Sequence, residues 1–161
     1  MADQAELVTA PTYVFSIIGD SNVQRNLVDY NCSNRDEMKS AQLIPCTSMV
    51  TFQACLPKIR PESNILILSC LSNFLRDSES STDSSSRMTT VLEKFRSIIF
   101  PYVDANPDLF VMVAPPQFSR SPMWYSESIV LACQLLKSVV FDHSTFDNLQ
   151  LLPAHSSQVP V

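Results

Sequence analysis

The stretch Thr12-Tyr13-Val14-Phe15-Ser16-Ile17-Ile18, followed by Gly19-Asp20-Ser21-Asn22, decides how this chain folds. Its nearly unbroken run of β-branched and aromatic residues suits a strand covered on both faces, as in a parallel sheet. Asn64–Cys70 (NILILSC) and Leu109–Ala114 (LFVMVA) read the same way, while Gln42–Cys46 and Asn148–Leu152 (NLQLL) are weaker strands. Between them the pattern predicts helices over Asn22–Val28, Ser48–Leu56, Arg87–Val103 and Pro122–Phe141. The last has Ser121 as its N-cap and Pro122 at the first helical position. Its apolar residues Ile129, Val130, Cys133, Leu136 and Val140 recur at intervals of three and four and predict one buried stripe.

Strands that alternate with helices imply right-handed βαβ crossovers, hence a three-layer α/β domain with a mostly parallel sheet of about five strands. With 161 residues the chain suits one domain over 1–161. The ends, 1–11 and 154–161, carry no periodic signal and are expected to be flexible. The serine-rich stretch 76–87 (RDSESSTDSSSR) reads as a mobile surface loop.

At 45% hydrophobic and 17% charged residues the chain is neither a disordered segment nor a fibrous rod. No apolar run reaches the roughly 18–20 residues of a membrane-spanning helix. The net charge of −5 argues against a nucleic-acid surface, which needs clustered Lys and Arg. Met1–Ala10 lacks the basic start and apolar core of a secretory signal, so the expected location is intracellular, in the cytoplasm. Cys32, Cys46, Cys55, Cys70 and Cys133 form no C-x-x-C pair and read as buried free thiols, with no metal site and no cofactor expected.

Gly19 is the chain's one glycine, against a usual abundance of ~7%. A glycine kept at that turn points to a positive φ or a close backbone approach. In open parallel sheets, ligands gather at the carboxyl ends of the strands. There the sequence sets Gly19-Asp20-Ser21-Asn22 after the first strand, Ser72-Asn73 after the third and Pro115-Pro116-Gln117 after the fourth. Ser21 at a strand-to-helix turn would expose its hydroxyl and place its amide at a helix N-terminus, where a developing oxyanion is stabilised. The same tetrapeptide is also an ordinary turn with an N-cap, and Asn73 also suits a turn.

Phe15–Asn22 (FSIIGDSN) resembles the first block of the SGNH (GDSL-type) hydrolase superfamily of esterases, lipases, acetyl-hydrolases and thioesterases. With Val23-Gln24-Arg25-Asn26, Ser69–Leu75, Ala114-Pro115-Pro116 and Trp124-Tyr125, the pattern is similar to SGNH-like domains of animal genomes, including retroelement open reading frames. The resemblance covers Thr12 to Leu152 and implies a flavodoxin-like fold. It makes Ser21 the nucleophile and Asn73 a donor to the oxyanion hole. The family's second block supplies a glycine amide, for which an amide of Cys46 or Thr47 would stand in here. The family's Asp-x-x-His is not present; His155, just past the fifth strand, is the candidate base or else a solvated histidine of the tail. Asp142-His143 precede that strand and do not match.

Asp20 and Asn22 flank Ser21 at the expected substrate site, and Asp20 also suits a brace for the turn. Arg25 would bind a substrate anion or pair with Asp29. Trp124 would line an acyl pocket or pack in the core. Two functions compete. One is a serine hydrolase acting on a small-molecule carboxylic ester, acetyl or short acyl, through an acyl-Ser21 intermediate, truncated or impaired by the missing base. The other is a non-catalytic SGNH-like module that binds a ligand or self-associates through a sheet face left uncovered. A nucleotide-binding flavodoxin-like domain is disfavoured, because one glycine cannot build a phosphate loop.

Overall fold

The computed structural model describes residues 13–20, 23, 41–76, 84–116 and 126–153. Five strands, β1 (Phe15–Gly19), β2 (Gln42–Pro45), β3 (Ile65–Ser69), β4 (Phe110–Val113) and β5 (Leu149–Leu151), form one sheet in the order β2-β1-β3-β4-β5. Every pairing is parallel. This is the flavodoxin-like α/β arrangement, with its switch point beside β1, and it bears out the expected fold class. The weaker strands, β2 and β5, sit at the two edges.

Four helices are described: α1 (Met49–Cys55), α2 (Leu71–Arg76), α3 (Ser84–Ala105) and α4 (Ser126–Val139). The crossovers β2 to β3, β3 to β4 and β4 to β5 all advance in one direction, so right-handedness puts α1 to α4 on one face. Ile18, Ile44, Leu66, Leu68, Val111 and Leu149 point to that face and form one core with the helices. Phe52 packs α1 against its neighbours in that layer, its ring centroid 5.7 Å from that of Phe74 on α2 and 5.4 Å from that of Phe95 on α3. The connection from β1 to β2 runs the other way, and its helical residue Val23 lies against Gly19 on the opposite face.

That opposite face is less covered. Phe15, Ile65 and Phe110 line up across three strands, with Leu43, Ile17, Ile67 and Met112 in the next row. Phe110 is 41% exposed, and Phe15, Leu43, Ile65, Ile67 and Met112 are half-buried. None of these belongs to the main core cluster.

Several boundaries differ from expectation. Helix α2 starts directly after β3, where Leu71, Phe74 and Leu75 at a helical spacing bury against the core. Helix α3 begins at Ser84, inside the stretch read as a loop. The hydroxyls of Thr89 and Thr90 donate back to the carbonyls of Ser85 and Ser86, and Met88 is fully buried, so the serines from Ser84 on form a first helical turn rather than a loop. Pro101 lies within α3, where it removes the bond to the Ser97 carbonyl. The helix continues because Phe95, Ile99 and Val103 stay buried on its core face.

Helix α1 ends at Cys55 and passes into a 3-10 turn at Leu56–Lys58. In α4, Ile129, Leu136 and nearby Val140 are buried as predicted, but Val130 is 54% exposed and Ala132 takes the core position. The helix stops at Val139, whose carbonyl accepts from Arg96 Nη1 at 2.8 Å, a cation placed at a helix C-terminus. The predicted helix at 22–28, apart from Val23, the Ser121-Pro122 start and both chain ends lie outside the described residues.

Candidate functional site

Gly19 ends β1 and pairs on one side with Pro45 and on the other with Ser69. The three chain segments that leave the sheet here therefore begin side by side. The Cys46 amide donates to the Gly19 carbonyl at 2.9 Å, and the Asp20 amide donates to the Ser69 carbonyl at 3.2 Å. Among the described residues no backbone φ is positive, Gly19 included. A Cβ on Gly19 would lie 2.8 Å from both Cβ and Cγ1 of Val23. The glycine therefore serves the second of its two expected uses, a close approach of the chain that follows β1.

Asp20 is 4% exposed, and its Oδ1 accepts from the Val23 amide at 3.2 Å. It braces the turn from strand to helix; that carboxylate oxygen faces the chain rather than a ligand. Ser21, Asn22, Arg25, Trp124 and His155 lie outside the described residues. Asn73 stands in the first turn of α2, half-buried between Leu71 and Phe74. Cys46 and Thr47 follow β2. With the Cys46 amide spent on Gly19, the Thr47 amide is the remaining stand-in of the two for the missing glycine donor. Thr47 is exposed, just before Ser48, whose hydroxyl caps α1 by accepting from the Thr51 amide at 3.4 Å. His143 lies in the 3-10 turn that precedes β5, at the amino end of the sheet, opposite this edge.

The cysteines form a cluster that the sequence did not reveal, because they come from different strand ends. Cys46 follows β2, Cys70 follows β3, and Cys55 closes α1. All three are free and buried. The Cys46 thiol lies 3.7 Å from Thr51 Oγ1 and 3.4 Å from the Ser48 carbonyl oxygen. Hydrogen bonding from Cys70, ahead of Thr51, Cys55 and Ser48, outweighs burial and lowers its pKa to about 6. The opposite holds for its neighbours. Burial, then Cys46, then the Asp20 carboxylate push the Cys70 thiol well up. Burial and Cys46 also raise Cys55, against a smaller opposing effect of Lys58. The three thiols are thus driven in opposite directions, Cys46 toward ionisation and its two neighbours away from it. No group of three or more His, Cys, Asp or Glu among the described residues is placed to hold a metal, and no helix of the described residues is long and apolar enough to cross a membrane.

The fold is a flavodoxin-like α/β domain, a class in which ligands gather at this end of the sheet. No family model and no individual curated protein matches the chain.

Proposed function

We propose that the chain is an SGNH-type serine hydrolase acting on a small carboxylic ester, with Ser21 as nucleophile and Asn73 as oxyanion donor. The observation that carries this reading is the register of Gly19 with both Pro45 and Ser69, which starts the turn toward Ser21 between those leading to Thr47 and Asn73. In the reaction, Ser21 Oγ bonds to the acyl carbon as the alcohol departs with the proton taken from Oγ. Water then releases the carboxylic acid and restores the hydroxyl. The Ser21 amide, the Asn73 side chain and the Thr47 amide would share the oxyanion charge. His155 is the candidate base.

A p-nitrophenyl acetate series together with a fluorophosphonate probe tests the reading. Turnover and an adduct on Ser21, lost in Ser21→Ala, are expected; a folded protein showing neither overturns it. A second reading, a non-catalytic module that binds or self-associates, is favoured by the half-covered sheet face around Phe15, Ile65 and Phe110. Sedimentation over a wide concentration range separates the two: a clean monomer with esterase activity removes the second.

A further inference from the structure

The thiol cluster has no part in the hydrolysis proposed above, yet it joins the ends of two strands to a helix at the same edge. We propose that Cys46 and Cys55 are a reversible redox pair, a modification site that closes to a disulfide under a small two-electron oxidant of the hydroperoxide class, with Cys70 as the positioning donor.

Geometry selects the partner. Cys70 lies across β1 from Cys46, but Pro45 and Ser69 both pair with Gly19, so the residues after them are separated by two strand spacings. That is about 9–10 Å between Cα atoms, beyond the range of roughly 4.4–6.8 Å that a disulfide spans without backbone movement. Cys55 is differently placed. Its thiol lies 3.6 Å from the Pro45 carbonyl oxygen, on the peptide that links Pro45 to Cys46. A bond from Cys46 to Cys55 closes the short loop through Ser48 and α1, past Pro45, the last paired residue of β2.

The chemistry divides between the residues. Cys46 carries the reactive thiolate, since the neighbours that face it, Cys70, Cys55, Thr51 and Ser48, lower its pKa against burial. Its sulfur attacks one oxygen of hydrogen peroxide, the O–O bond breaks, and Cys46 becomes a sulfenic acid with release of hydroxide. Cys55, protonated until then, bonds through sulfur to the Cys46 sulfur. The sulfenic oxygen leaves with the Cys55 proton as water, and the first hydroxide gains a proton from solvent. Counted from one thiolate and one thiol, the pair has lost two electrons and one proton, and with the proton from solvent the peroxide has become two waters. The bridge ties the last turn of α1 to the end of β2, on either side of Thr47. Cys46 is 1% exposed, so its oxidation calls for a reagent as small as hydrogen peroxide.

Peptide mapping of the intact protein tests the inference. Trypsin leaves Cys46 and Cys55 together in the peptide 40–58, with Cys70 in the next, because no Lys or Arg lies between the first two. After stoichiometric hydrogen peroxide and alkylation under denaturing, non-reducing conditions, peptide 40–58 is expected two hydrogen masses lighter and unalkylated. Dithiothreitol should restore both alkylation sites. In Cys55→Ala, dimedone should trap Cys46 as a sulfenic acid; in Cys70→Ala, the pH midpoint of peroxide consumption by Cys46 should rise from about 6 toward that of an ordinary thiol. Three results overturn the proposal: Cys46 still alkylatable after Cys133 has been oxidised, a cross-link from Cys46 to Cys70, or a sulfinic acid at Cys46 without any bridge. The wild-type map decides the matter even where a variant does not fold. None of these readouts depends on esterase activity, so failure of the hydrolase reading leaves them unchanged.

Discussion

The two ends of β1 use polar atoms in opposite ways. At the amino end, Ser16 is fully buried; its hydroxyl donates to Gln42 Oε1 at 2.9 Å and touches the Ser63 hydroxyl. Gln42 Oε1 also accepts the Arg60 amide at 3.1 Å, and its Nε2 donates to the Lys58 carbonyl at 2.8 Å. Arg60 Nη2 donates to the Phe15 carbonyl at 3.1 Å, and the Val14 amide donates to Asn64 Oδ1 at 2.8 Å. These bonds tie the segment after α1 back under the sheet and leave the side chains of Ser16 and Gln42 committed. At the carboxyl end the polar groups are thiols, hydroxyls and a turn carboxylate with weaker or longer bonds. Buried polar groups that are satisfied locally hold a fold together, whereas reactive chemistry needs groups whose charge state can still change.

This contrast is tested most strongly at Ser21. Ser21→Ala should lower p-nitrophenyl acetate hydrolysis by at least about 10³-fold, as loss of a nucleophile generally does, with no change in the thermal midpoint. Gln42→Ala should do the reverse. It removes the acceptor of both the Ser16 hydroxyl and the Arg60 amide, at an expected cost of about 1–3 kcal/mol in urea unfolding. Labelling of Ser21 by the fluorophosphonate, measured per folded molecule, should be unchanged. If Gln42→Ala abolished labelling in folded protein, the two ends would not be independent.

The sequence made one of these ends far more legible than the other. Strand positions, their parallel sense and the edge at which ligands gather in such folds follow from apolar runs separated by helical periods, because short apolar runs alternating with helices have few alternative folds. The amino-end network was not legible, since Ser16 reads as one polar residue in an apolar strand and its partners lie 26 and 47 positions away. The thiol cluster escaped for the same reason: Cys46 and Cys70 meet only because β2 and β3 flank β1. Helix α2 did carry a local signal in Leu71, Phe74 and Leu75, hidden by treating Ser72-Asn73 as a turn. Serine content misled at Ser84–Arg87, where composition suggested a loop but the first turn of α3 forms. Gly19 was recognisable as special, although only the contact with Val23 shows that it is there for space.

The charge state of the carboxyl end also predicts a pH dependence that the amino end lacks. Cys46 has a pKa of about 6 in the folded chain against a usual 9.0. A depressed thiol pKa adds stability that is fully present above the unfolded value and is lost as the pH falls through the folded one. Between about pH 6 and pH 9, wild-type stability should therefore rise relative to Cys46→Ala, with a slope no steeper than one proton, about 1.4 kcal/mol per pH unit. Cys55 and Cys70, raised instead, oppose this only above the ordinary thiol range. Parallel curves for the two proteins across the window would show that Cys46 is protonated throughout. A smaller effect on the same end comes from Gly19→Ala. The new methyl meets Val23 next to its backbone, and the strain should cost about 1–3 kcal/mol at every pH.

The smallest effect is expected on the half-covered face of the sheet, and it bears on whether that face belongs with the satisfied end or with the reactive one. Phe110 pairs with Ile65, next to Phe15, and its ring is 41% exposed and outside the main core. Replacing it by serine removes apolar area that water already reaches in part, so Phe110→Ser should cost only about 0.5–1 kcal/mol in urea unfolding. If two copies meet through this face, the same variant should sediment as a monomer at concentrations where the wild type associates. A loss of several kcal/mol without any change in sedimentation would mean that the ring is packed within its own chain, and the face would then be structural, like the network around Ser16.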